Sequence, residues 1–270
     1  MISFIRHYLL AVQYFTRIPI TGKLAKWVGY SPEALQSSAA HFPGIGILVG
    51  SFASLILYGT FLLLPSSPFT PLVCSFLSAF SSILLTGAFH EDGLADSADG
   101  IGGSSERSRT LEIMKDSRIG TYGAVALILV LGTKISLVAL LLSLNPLLAV
   151  MTVLLGHTVS RWIPLLAMKL LPPIIEKNDS KSKPLVAKVT IYHLTIGTVW
   201  VVALLLAFNH YHPVQNWSLA LLLALITGFI FTRTYYKRLG GYTGDCLGAT
   251  QQLSEIAFFL GTLFFIGKNL

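Results

Sequence analysis

Charge is what this sequence has least of. Only 11% of its 270 residues are Asp, Glu, Lys or Arg, where a soluble domain carries about 25%. One larger core cannot absorb the shortfall, because the surface of a soluble chain still has to face water. The scarcity excludes an ordinary soluble domain. Cysteine is scarce too: Cys74 and Cys246 stand in unrelated contexts without CxxC spacing, so neither a disulfide framework nor a zinc site is indicated. Acids are outnumbered, 12 against 19 Lys and Arg, for a net charge of +7. In a soluble protein that balance would suggest nucleic acid. In an apolar chain it records membrane topology instead, and no nucleic-acid partner is indicated.

What the chain has in quantity is apolar: 53% hydrophobic residues and a mean hydropathy of +0.70. A bilayer-spanning helix needs about 20 mostly apolar residues. Candidate spans are 44–64, 69–89, 121–144, 146–166, 190–208, 217–234 and a shorter 253–267. The expected fold is all-α, a polytopic transmembrane helix bundle of about seven spans, with residues 1–270 forming a single integral membrane domain in the lipid bilayer. The opening MISFIRHYLLAVQYFTRIPI has no small-residue cleavage site and reads as a retained, interfacial N-terminal helix. Asn145-Pro146 marks a tight turn between two spans, and PPIIEKNDSKSKP at 172–184 is the best linker. Gly46 and Gly50, four apart, fit small-residue helix packing.

Basic residues fall on one side of these spans. Arg6, Arg17, Lys23 and Lys26 precede the first; Arg107, Arg109, Lys115 and Arg118 follow the second. Lys169, Lys177, Lys181, Lys183 and Lys188 follow the fourth, and Arg233, Lys237 and Arg238 the sixth. The alternate loops LPSSP, SLNP and NHYHPVQN have no Lys or Arg. By the positive-inside rule the N-terminus and the basic loops are cytoplasmic, with Lys268 alone on the other side. Within the spans, Arg161 is placed to snorkel. Lys134 sits mid-span without a visible partner, and the role of Glu255 is open.

The acids are clustered. Of 12, seven lie between 91 and 116: Glu91, Asp92, Asp96, Asp99, Glu106, Glu112 and Asp116. Asp245 and Glu255 flank the start of the last span, so two distant segments meet at the cytoplasmic boundary. Asp92, Asp96 and Asp99 are spaced i, i+4, i+7, which on a helix is one face. Such crowded carboxylates suit a hard divalent cation, most naturally Mg²⁺, which commonly bridges carboxylates to substrate phosphates. Lys115 and Arg118, in MKDSRIGTYG, could hold phosphate oxygens. The glycines of GGYTGDCLGATQQLSE around Asp245 exceed what a simple connector needs.

HEDGLADSADGIGG, MKDSRIGTYG and GGYTGDCLGATQQLSE, with QYFTRIPI and FPGIG, together resemble the bacterial cobalamin synthase family, over about residues 8–256 in the same order. The resemblance implies transfer of the adenosylcobinamide phosphate of adenosylcobinamide-GDP to an alcohol of α-ribazole, or of α-ribazole 5′-phosphate. GMP leaves, Mg²⁺ is required, and the setting is the bacterial cytoplasmic (inner) membrane with a cytoplasmic active site. On this reading Glu91, Asp92, Asp96 and Asp99 are the metal-ligand set and Lys115 and Arg118 bind substrate phosphate. Asp99, Asp116 and Asp245 are all candidates for the catalytic base. A homo-oligomer is allowed but not indicated. The rival readings are a CDP-alcohol phosphotransferase-like phospholipid synthase, a membrane prenyltransferase and a cation-coupled transporter. Against the first, Asp96 stands directly after Ala95 where that pattern has Arg, and the next carboxylate follows at three residues rather than four.

Overall fold

A computed structural model describes residues 2–174, 189–211 and 217–267. Among them every regular element is helical. The chain opens with α1 (Ile2–Phe15), α2 (Gly22–Val28) and α3 (Pro32–Ser38), then one 3-10 turn (Ala39–His41) leads into α4 (Phe42–Leu63). α5 (Thr70–Thr86), α6 (Phe89–Gly103), α7 (Arg107–Met114) and α8 (Thr121–Leu144) follow. α9 (Pro146–Leu170), α10 (Ile191–Tyr211), α11 (Ser218–Leu239) and α12 (Gly244–Gly267) complete the bundle. The linker expected at 172–184 falls largely outside the described residues, as do Lys177, Lys181, Lys183, Lys188 and Lys268.

Every expected span coincides with a long helix, and 121–144 matches α8 residue for residue. Among the described residues five helices are long and apolar enough to cross a membrane, or six if the bent pair α5 and α6 forms one span. Against the expectation of about seven, α5 is counted only through its bent pair with α6, and α12 is not among them. This helix begins nine residues before the apolar stretch 253–267, and its first half carries Gln251, Gln252, Ser254 and Glu255, all buried. They are polar because they face other helices. Outward positions such as Leu55, Phe80, Ile128, Leu206 and Phe229 are exposed and apolar. A bundle that hides its polar groups and shows aliphatic and aromatic side chains is an integral membrane protein.

Helix ends follow local chemistry. Asn145 accepts a hydrogen bond from the Leu148 amide at 3.0 Å, and Pro146 occupies the first helical position, so the expected tight turn starts α9 without a wasted donor. Gly46 and Gly50 pack α4 onto α9: a Cβ on Gly46 would lie 2.3 Å from the His157 carbonyl oxygen, and one on Gly50 would lie 3.0 Å from the Leu154 Cα. The expected small-residue face is real. α1 packs Leu10, Ala11, Val12 and Phe15 inward against α3 and α4.

Candidate active site

The site begins with a bend. α5 ends at Gly87 (φ 68°), and Ala88 is left-handed as well (φ 59°). Two successive left-handed residues turn the chain so that α6 leaves α5 at 90°. A Cβ at Gly87 would also strike the Arg17 guanidinium. Holding alanine in this region costs about 1–2 kcal/mol. The bend keeps the acidic run from continuing a span and lays it across the end of the bundle.

α6 then meets α12 backbone to backbone. A Cβ on Gly93 would lie 2.9 Å from the Asp245 carbonyl oxygen, and one on Gly248 would lie 3.3 Å from that of His90. No side chain separates the helices here, which brings Asp245 against the Asp92–Asp96 face of α6. The crowding has an electrostatic signature. Burial and the negative charges of Asp245, Asp92 and Asp99 push the Asp96 carboxyl up to about 7.

A cavity of about 340 Å³ opens at this junction. Asp92, Asp245 and Lys115 line it together with Thr243, and Tyr14, Phe15, Phe42, Phe89 and Met168 give it an apolar wall. Thr243 Oγ1 donates to Asp245 at 3.4 Å. The structure therefore gathers Asp92, Asp245 and Lys115 at one opening, with Asp96 beside them.

Other candidate residues lie elsewhere. Asp99 is buried, and its two oxygens accept from the Gly120 and Gly123 amides at 2.7 and 2.8 Å, so it caps the N-terminus of α8. Glycine is needed at both partners, since a Cβ on either would come within 2.4 Å of that carboxylate. Asp116 and Arg118 grip one another by a bidentate pair of 2.6–3.1 Å, with Arg118 87% exposed. Those hydrogen bonds hold the Asp116 carboxyl down to about 2, where it is a weak base. Glu91 is buried off the cavity and accepts from Gln252 Nε2 at 2.8 Å.

Behind the cavity is a second cluster that only fragments of the sequence announced. Lys134 has its partner: its Nζ lies 2.7 Å from Glu255, across α8 and α12. Glu255 also accepts from Gln251 at 2.6 Å and from Ser160 at 3.4 Å, and lies 3.4 Å from His157. Arg161 does not snorkel. It is 2% exposed, donates to the His157 carbonyl at 3.0 Å and lies over the Phe42 ring at 5.8 Å. His90 stacks on the same Phe42, ring centroids 5.6 Å apart. The signal was the spacing of polar residues inside apolar helices: His157, Ser160 and Arg161 at i, i+3, i+4 on α9, and Gln251, Gln252 and Glu255 on α12.

The donor set fits magnesium in a restricted way. Among the described residues no group of three or more His, Cys, Asp or Glu is placed to hold a metal ion unaided. Mg²⁺ is commonly held by one or two carboxylates, waters and substrate phosphates. The repulsion around Asp96 is what such a cation relieves.

Fold and cavity define an integral membrane protein with an acidic, ligand-sized opening at one end of a helical bundle. The chain belongs to the cobalamin-5-phosphate synthase (CobS) family, whose model matches residues 7–263. Similar proteins include the adenosylcobinamide-GDP ribazoletransferase of Polaromonas sp. (strain JS666), 51% identical over 96% of both chains. The proteins of that name from Albidiferax ferrireducens and Vibrio cholerae are 47% and 41% identical, over 97% and 96% of this chain and 98% and 94% of their own. No solved structure matches.

Proposed function

We propose that this protein is the membrane phosphotransferase that completes a cobamide. A hydroxyl of α-ribazole, or of its 5′-phosphate, attacks the phosphorus joined to cobinamide in adenosylcobinamide-GDP. That P–O bond forms, the P–O bond to guanylate breaks, and GMP leaves. Adenosylcobalamin, or its phosphate, is the product. The names of the relatives support the substrates. The observation that carries the chemistry is the meeting of Asp92 and Asp245, from segments 153 residues apart, with Lys115 on one cavity.

Magnesium bound at Asp92 and Asp96 would neutralise the diphosphate and the departing phosphate. Lys115 binds a phosphate oxygen as a point charge. Asp245 takes the proton of the attacking hydroxyl, because of the three candidate bases it is the one that lines the cavity. The aromatic wall excludes water beside the reacting phosphorus. At about 340 Å³ the cavity admits the diphosphate end, and the corrin ring stays at its mouth. The basic flanks support a site on the cytoplasmic face of a bacterial inner membrane. The phospholipid-synthase, prenyltransferase and transporter readings find no support in the family match.

The test is GMP release by purified protein in detergent, with adenosylcobinamide-GDP and α-ribazole supplied together and singly, with and without Mg²⁺. Release that needs both substrates and the metal is expected. Release without α-ribazole would mean a hydrolase, and none from folded protein would remove the proposal.

A further inference from the structure

We infer that Glu91 belongs to an electrically neutral cluster inside the bundle and acts on the site as a positioning residue through Gln252, not as a ligand of the metal. The activity measured below rests on the proposed phosphotransferase reading; the inference itself rests on packing and charge.

Direction comes first. Asp92 lines the cavity and its neighbour Glu91 does not. Glu91 is 7% exposed and reaches 161 residues along the chain to Gln252, itself 2% exposed. Gln252 follows Asp245 by seven residues, two helical turns, so the two share a face of α12. The Glu91–Gln252 bond thus sits at the closed end of the seam whose open end presents Asp92 and Asp245. Gly93 and Gly248 leave no side chain between to take up slack.

Charge is the second, independent observation. Lys134 and Arg161 are buried cations, and Glu255 is paired with Lys134. Glu255 alone leaves an excess of one positive charge in the interior, where an uncompensated charge is expensive. Glu91 supplies the missing anion, and its charge acts on Arg161. Each retains a buried polar atom without a direct partner, Oε2 of Glu91 and Nε of Arg161, an acceptor and a donor. With Glu91 counted, two cations meet two anions. Were Glu91 to serve a metal at the cavity, Arg161 would lose that compensation.

The test uses the full chain in detergent with Mn²⁺ as the probe, its binding read by electron paramagnetic resonance alongside turnover. Glu91→Gln is expected to leave the Mn²⁺ Kd within about twofold while turnover falls about tenfold, the range for residues that act through another. Adding Arg161→Gln to Glu91→Gln should recover most of that loss, because the interior is neutral again. Gln252→Leu, which keeps every charge, should lower kcat with KM and Mn²⁺ Kd unchanged. A rise in Mn²⁺ Kd of about tenfold or more in Glu91→Gln, the size expected for a lost ligand-shell contact, would overturn the inference. So would a Glu91→Gln/Arg161→Gln protein no better than Glu91→Gln. If Glu91→Gln does not fold, Gln252→Leu decides: unchanged kcat, or a weakened Mn²⁺ Kd, sinks the idea. Wild-type protein that binds Mn²⁺ but releases no GMP counts against the proposed activity alone, and the Mn²⁺ comparison still decides the role of Glu91.

Discussion

Two groups of charged residues occupy neighbouring parts of this bundle and are treated in opposite ways. At the cavity, Asp92, Asp96 and Asp245 crowd together as like charges with Lys115 on the same wall. Behind it, Lys134, Glu255, Arg161 and His157 are sealed in, bonded to one another and to Ser160 and Gln251. The first arrangement holds three carboxylates to one ammonium and opens onto a cavity that a ligand can reach. The second is buried, and its two cations, Lys134 and Arg161, meet two acids, Glu255 and Glu91, inside the bundle. The residue types hardly differ between them. What separates the two groups is access: one lines a cavity and the other is buried among helices.

That contrast is broken most severely from the closed side. Lys134→Met strands Glu255 and should destabilise the protein by about 3–5 kcal/mol, read as a fall in melting temperature; Lys134→Met with Glu255→Leu should recover much of it. From the open side, Asp92→Asn should lower turnover by about 10²–10³-fold, the usual cost of one charge-stabilising group. The protein should still insert with an unchanged melting temperature, and wild-type turnover would remove Asp92 from the site. A gentler probe is pH. Because burial and the charges of Asp245, Asp92 and Asp99 push the Asp96 carboxyl up to about 7, it is protonated below that pH, and a divalent cation must displace the proton. Mn²⁺ affinity should therefore fall by about tenfold per unit below pH 7 and level off above it. The smallest effect belongs to Arg118→Gln. That guanidinium is exposed and held by Asp116, so kcat/KM should change by less than about threefold.

How much of this was legible beforehand differs between the same two regions. Apolar run length located the long helices, since a span must satisfy its own backbone in lipid. The i, i+4, i+7 acids located α6 and the cavity, because charge beside a membrane is costly enough to stand out. The closed cluster was not legible as a unit. Lys134, His157, Arg161 and Glu255 lie on three helices, and periodicity shows which face a residue occupies but not which helix that face meets. Asp99 shows the same limit. Its spacing matched a ligand set, whereas its partners, Gly120 and Gly123, lie more than twenty residues onward and became visible only when α8 was placed. Arg118 was not legible for another reason: its pairing with the carboxylate two residues away appears only once the turn is folded.

The contact of Gly93 and Gly248 has a mechanical meaning. Side chains between helices act as padding, changing rotamer while the backbones shift. With no padding, any displacement of α12 reaches Asp245 undiminished, and an error of about 1 Å near reacting groups costs roughly a hundredfold in rate. The alignment of the carboxylates and the seating of the helices are one adjustment, made by the backbone. As detergent or heat loosens the bundle, turnover should disappear well before helicity does.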